Sequence, residues 1–71
     1  MKTFAVNTAD STYRVYPTMS AAKASETTGS GFKRYGKFWE CEASRLILFA
    51  EKDLHAFTGG RTLEELNYTA G

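Results

Sequence analysis

The sequence predicts a small α+β protein: an antiparallel sheet in ββαββα order, with short helices on one face. Three observations carry that expectation. Two runs near the start, Lys2 to Asn7 and Thr12 to Tyr16, alternate apolar and polar side chains with the period of a half-buried strand. A stretch rich in alanine follows Pro17, and small residues at Ala21, Ala22, Ala24 and Ser25 suit a helix lying close on a sheet. Gly31 to Phe49, GFKRYGKFWECEASRLILF, then collects glycine, cations and aromatics before a branched apolar run. This last stretch is expected to form a β-hairpin that supplies both core and contact surface.

In the first run Phe4 and Val6 share one side, and Thr3, Ala5 and Asn7 the other. In the second, Tyr13 and Val15 oppose Arg14 and Tyr16. Thr8-Ala9-Asp10-Ser11 between them is turn chemistry, because Asp and Ser side chains satisfy local backbone groups. The two runs are expected to pair as an antiparallel hairpin. Pro17 lacks the N–H a ladder needs and stops the second strand. Thr18 is placed to cap a helix over Met19 to Thr27, whose thin apolar stripe is Met19, Ala22 and Ser25 or Glu26. Gly29 and Gly31 are expected to end it.

From Phe38 the alternation sets Trp39, Cys41 and Ala43 against Phe38, Glu40 and Glu42. A loop centred on Ala43-Ser44 places Glu42 opposite Arg45, Cys41 opposite Leu46 and Trp39 opposite Leu48, pairing opposite charges and gathering the apolar set on one face. On this register Arg34 shares a face with Phe38. A single helix over residues 44–58 would also bury Leu46, Ile47, Leu54 and Phe57. Strand then helix is preferred, since Glu51 and Asp53 suit the first turn of a helix starting after Phe49. Gly59-Gly60 ends that helix. Thr62 and Glu65 make a capping-box spacing for one last turn from Leu63 to Tyr68, after which Thr69-Ala70-Gly71 frays. The expected core is Phe4, Val6, Tyr13, Val15, Met19, Trp39, Cys41, Leu46, Leu48, Leu54 and Phe57.

Seventy-one residues amount to one domain with a small core, burying about 60% of the unfolded chain's surface. The single cysteine argues against a secreted disulfide scaffold and for a reducing compartment. No apolar run approaches the roughly 18 residues of a membrane span, and MKTFAVNTADS is not a secretory signal. A cytoplasmic location is expected. Net charge is +1 but unevenly spread: residues 1–37 hold six cations and two acids, net +4, and residues 38–71 hold three cations and six acids, net −3. Such a split suits docking on another charged surface, and is also what an ordinary solvated surface can carry.

Catalytic and metal chemistry find little footing. His55 has no partnered nucleophile in a recognisable motif, Cys41 falls on the core side of its strand, and one His with one Cys cannot complete a tetrahedral metal site. No cofactor and no enzymatic activity are expected. The functional colour lies in Lys33-Arg34-Tyr35-Gly36-Lys37-Phe38-Trp39, where cations attract phosphate or carboxylate and aromatics offer stacking platforms. Arg14 and Tyr16 of the first hairpin join the same candidate face. The partner-binding candidates are thus Arg14, Tyr16, Lys33, Arg34, Tyr35, Lys37 and Phe38. Glu40 and Glu42 beside them would repel phosphate, which favours a protein surface of mixed charge over nucleic acid.

A strand, an alanine-rich helix (Met19-Ser20-Ala21-Ala22-Lys23-Ala24) and then a hairpin in a short, cysteine-poor chain resembles, in layout, the small host-modulating proteins of phages, among them anti-CRISPR proteins. That resemblance implies a stoichiometric inhibitor that covers a nucleic-acid-binding surface of a host protein or ribonucleoprotein complex in the host cytoplasm. A small single-stranded nucleic-acid-binding protein is the alternative. A homodimer paired through a strand edge is a third expectation.

Overall fold

The computed structural model describes residues 2–27 and 31–71. It is a small α+β protein built on one six-stranded sheet. The strands are β1 (Thr3–Asn7), β2 (Thr12–Tyr16), β3 (Lys33–Tyr35), β4 (Phe38–Cys41), β5 (Leu46–Ala50) and β6 (Thr69–Ala70). Helix α1 (Met19–Glu26) follows β2; a 3₁₀ turn (Glu51–Asp53) and helix α2 (Leu54–Thr58) follow β5. Across the sheet the strands run β3-β4-β5-β1-β2-β6. All neighbours are antiparallel except β2 and β6, which are parallel.

The two expected hairpin registers are present. Phe4 faces Val15 and Val6 faces Tyr13. Trp39 faces Leu48 and Cys41 faces Leu46. The turn before β2 is held by Asn7 rather than by Asp10 or Ser11: its Oδ1 accepts from the backbone N–H of Ala9 and of Asp10, both at 2.9 Å. Thr18 caps α1, its hydroxyl accepting from Ala21 N–H at 3.1 Å. Helix α1 ends on Thr27, whose N–H reaches the Lys23 carbonyl; Gly29, expected to terminate it, lies outside the described residues. Leu46 to Ala50 is a strand and the helix comes after it, so the long helix is not formed. Gly59 closes α2 in the left-handed conformation (φ 67°), its N–H bonding to the His55 carbonyl.

Several expectations are corrected. The order is not ββαββα, and the sheet is mixed. Gly31 to Phe49 is a three-stranded meander rather than one hairpin, because the chain turns at Gly36-Lys37 between β3 and β4. Gly36 has φ 63°, and a glycine in that conformation at the first position of a two-residue loop suits a tight hairpin turn. The C-terminal segment does not fray: Thr69 N–H bonds to Ser11 C=O and Gly71 N–H to Tyr13 C=O, which makes Thr69–Ala70 the parallel edge strand β6. Residues 63–67 form turns rather than a further α-helix, although Thr62 and Glu65 make the reciprocal capping bonds at 3.0 Å.

The helices do not share a face. Helix α1 covers the front face, where Ala22 packs on Ala5 and Leu48 with Met19, Tyr16, Phe32 and Trp39 around them. Helix α2 and the segment after it cover the back face, where Val6, Phe49 and Leu63 are buried among Phe4, Tyr13, Phe38, Ile47, Leu54, Phe57 and Tyr68. β1 and β5 lie at the centre of the sheet and bury side chains on both sides. That is why Thr3, Ala5 and Phe49, absent from the expected core, are nearly inaccessible. Val15 was expected inside and is 46% exposed. β6 pairs only with Thr12 and Tyr13, so the far half of β2 has no strand on its outer side.

Candidate partner-binding face

The β3–β4 ribbon stands at one end of the sheet, and Lys33 to Lys37 form an unbroken exposed run along it. The two-residue turn decides which side chains meet. In a continuous strand Arg34 and Phe38 would share a face; across the turn Arg34 instead pairs with Trp39, and Tyr35 with Phe38. Arg34 therefore belongs to the front face with Trp39. Lys33, Tyr35, Phe38 and Glu40 belong to the back face. This overturns the expected sharing of a face by Arg34 and Phe38.

On the front face Trp39 is half-buried and its ring is already engaged. Lys23 Nζ of α1 lies 3.2 Å from the ring centroid and Arg34 Cζ 5.8 Å from it. Arg34 Nε also donates to the Gly36 carbonyl at 3.0 Å, which holds the guanidinium close to the turn. Arg14 and Tyr16 are on this face too, but on β2, four strands from β3. At about 4.8 Å per strand that is about 19 Å, and α1 packs on the strands between them. Arg14 pairs with Glu26 of α1 at 3.5 Å, and Tyr16 packs beside Ala22. The seven candidate residues thus do not form one patch. Arg14 and Tyr16 stand apart, while Lys33, Arg34, Tyr35, Lys37 and Phe38 cluster on the ribbon, divided between its two faces.

The back of the ribbon holds a shallow apolar cleft of about 160 Å³, walled by Tyr35, Phe38, Ile47 and Phe57, with Glu40 as its one charged lining residue. Phe38 is fixed by edge-on packing against Phe49 (5.7 Å between centroids, 85°) and Phe57 (6.2 Å, 63°). Phe57 in turn stacks on the buried Phe49 at 4.9 Å. Tyr35 is 49% exposed and forms the outer wall, its hydroxyl 3.5 Å from Glu42 Oε1. The strand alternation of Phe38 and Glu40 was legible in the sequence. The contribution of Phe57 was not, because it depends on how α2 folds back over the sheet.

Cys41 is buried beneath the front face, and His55 is exposed on α2 with its ring beside Gly60. Tyr13 donates its hydroxyl to Glu64 Oε1 at 3.1 Å; that bond, with desolvation and the Glu64 charge, raises the phenol above its ordinary pKa. Among the described residues no group of three or more His, Cys, Asp or Glu side chains is arranged to hold a metal ion, and no helix is long and apolar enough to cross a membrane. The chain matches no protein-family model, no curated protein and no solved structure.

Proposed function

We propose that this protein is a non-enzymatic protein-binding modulator that docks through the β3–β4 ribbon. The observation that carries the proposal is the two-signed composition of that exposed ribbon. Lys33, Arg34 and Lys37 lie along its rim, Glu40 and Glu42 stand one strand inward, and Tyr35 offers a largely exposed aromatic ring between them. Interface centres are enriched in tyrosine and arginine, and alternating charge selects a partner of complementary pattern. The layout resemblance to anti-CRISPR proteins gives the proposal its specific form, a phage-type inhibitor that covers a nucleic-acid-binding surface of a host complex.

Direct binding of single-stranded nucleic acid is the weaker reading. The Trp39 ring is occupied by Lys23 and Arg34, and the exposed Tyr35 shares its face with Glu40 and has Glu42 beside its hydroxyl, both of which repel phosphate. Self-pairing through β3 is disfavoured too, since antiparallel pairing centred on Arg34 sets Arg34 against Arg34. The test is capture of a stoichiometric partner from host lysate by the immobilised protein and by Arg34→Glu/Lys37→Glu. Loss of that partner in the variant is expected; equal capture by both would remove the ribbon from the interface.

A further inference from the structure

We infer that the back-face cleft beside Tyr35 is a receptor for a single arginine side chain of the partner protein. This rests on the protein-binding reading and deepens it by naming what the partner presents. Glu40 is half-buried at the wall of an otherwise apolar cleft. Among the described residues its carboxylate makes no hydrogen bond and no ion pair; the ion pair present within 4.0 Å is Arg14–Glu26, on the other face. Lys33, its cross-strand neighbour on β3, is exposed and does not come within that distance. A carboxylate in such a place keeps acceptor capacity that a donor entering the cleft can use in place of water.

The other walls specify which donor. Tyr35, Phe38 and Phe57 present aromatic surface, whose negative face attracts a cation. A guanidinium is planar, stacks on such rings, sheds water more readily than an ammonium and fits a carboxylate with two parallel bonds. Its three-carbon stem suits the apolar side of Ile47. Glu42, in the turn after β4 and 3.5 Å from the Tyr35 hydroxyl, adds negative charge nearby. A phosphate or carboxylate guest would meet both acids, and a purely aliphatic guest would leave Glu40 without a donor.

The probe is N-acetyl-arginine amide, followed through the ring signals of Tyr35, Phe38 and Phe57 by NMR, with the citrulline amide as its neutral counterpart. Saturable shifts with arginine and none with citrulline are expected. Glu40→Gln keeps the shape of the side chain and should weaken the arginine effect about tenfold or more, as for loss of a charge-assisted bond. Tyr35→Ala, at a site 49% exposed, should weaken it as well. Equal responses to arginine and citrulline, or an unchanged response in Glu40→Gln with its amide spectrum otherwise intact, would overturn the inference. Arg34→Glu/Lys37→Glu separates the two levels. If partner capture is lost while arginine binding persists, the ribbon and the cleft are both engaged as described. If arginine fails to bind while capture still depends on Arg34 and Lys37, the cleft assignment falls and the protein-binding reading stands.

Discussion

Replacing Phe49 tests the back-face core most directly. Its ring is fully buried and meets three others: Phe57 stacked at 4.9 Å, Phe4 stacked at 5.8 Å and Phe38 edge-on at 5.7 Å. Phe→Ala in a core costs about 3–5 kcal/mol. A chain of this size, at about 0.05–0.15 kcal/mol per residue, has about 4–11 kcal/mol of total stability. Phe49→Ala is therefore expected to remove from about a quarter to all of that stability. Phe49→Leu is the quantitative version. It keeps most of the buried apolar area and removes three ring pairs, at about 0.5–1.5 kcal/mol each, so the expected loss is about 1.5–4.5 kcal/mol. With a urea slope of about 1 kcal/mol/M, at the low end for small domains, the midpoint should fall by about 1.5–4.5 M. Trp39 supplies a second check because it lies on the front face. Its fluorescence should move together with far-UV circular dichroism if the two cores unfold as one unit. A Phe49→Leu loss under about 0.5 kcal/mol, or a Trp39 transition separated from the backbone signal, would refute the account of one sheet packed cooperatively on both sides.

Two further outcomes follow from local geometry. Thr18→Ala removes the 3.1 Å cap on Ala21 N–H and should cost about 1 kcal/mol in denaturant melts, with Thr18→Ser recovering most of it. Because Glu64 raises the Tyr13 phenol, Glu64→Gln should lower the pH at which Tyr13 ionises, read from its ring signals. The sign for stability follows: the contribution of this hydrogen bond is complete below the ordinary tyrosine range near about 10 and is lost as pH rises through the elevated folded value. A wild-type alkaline unfolding limb identical to that of Glu64→Gln would show that the contact does not differ between folded and unfolded states.

Much of the architecture was legible where a local pattern has one physical solution. Period-two alternation at Phe4/Val6 and Tyr13/Val15 sets the first hairpin, and the apolar match of Trp39 with Leu48 and Cys41 with Leu46 sets the register of β4 on β5. The caps at Thr18, Gly59 and Thr62 were readable because orphan backbone groups at helix ends need particular side chains or conformations. What escaped depends on long-range assembly. Alternation shows that Ala5 and Phe49 face away from Phe4 and Leu48 respectively, but not that both sides of the sheet are covered. β6 is two residues long and exists only because Ser11 and Tyr13 offer carbonyls to it. The turn at Gly36-Lys37, like the Asn7 turn, is a local signal that the alternation of the strands masks. Its effect is large, because a two-residue turn moves Arg34 to the face opposite Phe38 and so divides a cationic-aromatic run that looked continuous.

The position of β1 has a consequence for how the chain reaches this fold. β1 lies in the middle of the sheet, between β2 and β5, yet the pairing with β5 joins residues from 39 apart (Asn7 with Leu46) to 47 apart (Thr3 with Ala50). The β1–β2 hairpin can close early, since its loop is short. During synthesis it must then hold one open edge, and an uncovered Val6, until residue 50 is available. Closing so long a loop before its contacts give any return slows folding and prolongs exposure of that edge. The arrival of Leu46–Ala50 alongside the waiting hairpin is thus the long-range step of assembly; it supplies Leu48 to the front core, while the back core still waits for Leu54, Phe57 and Leu63.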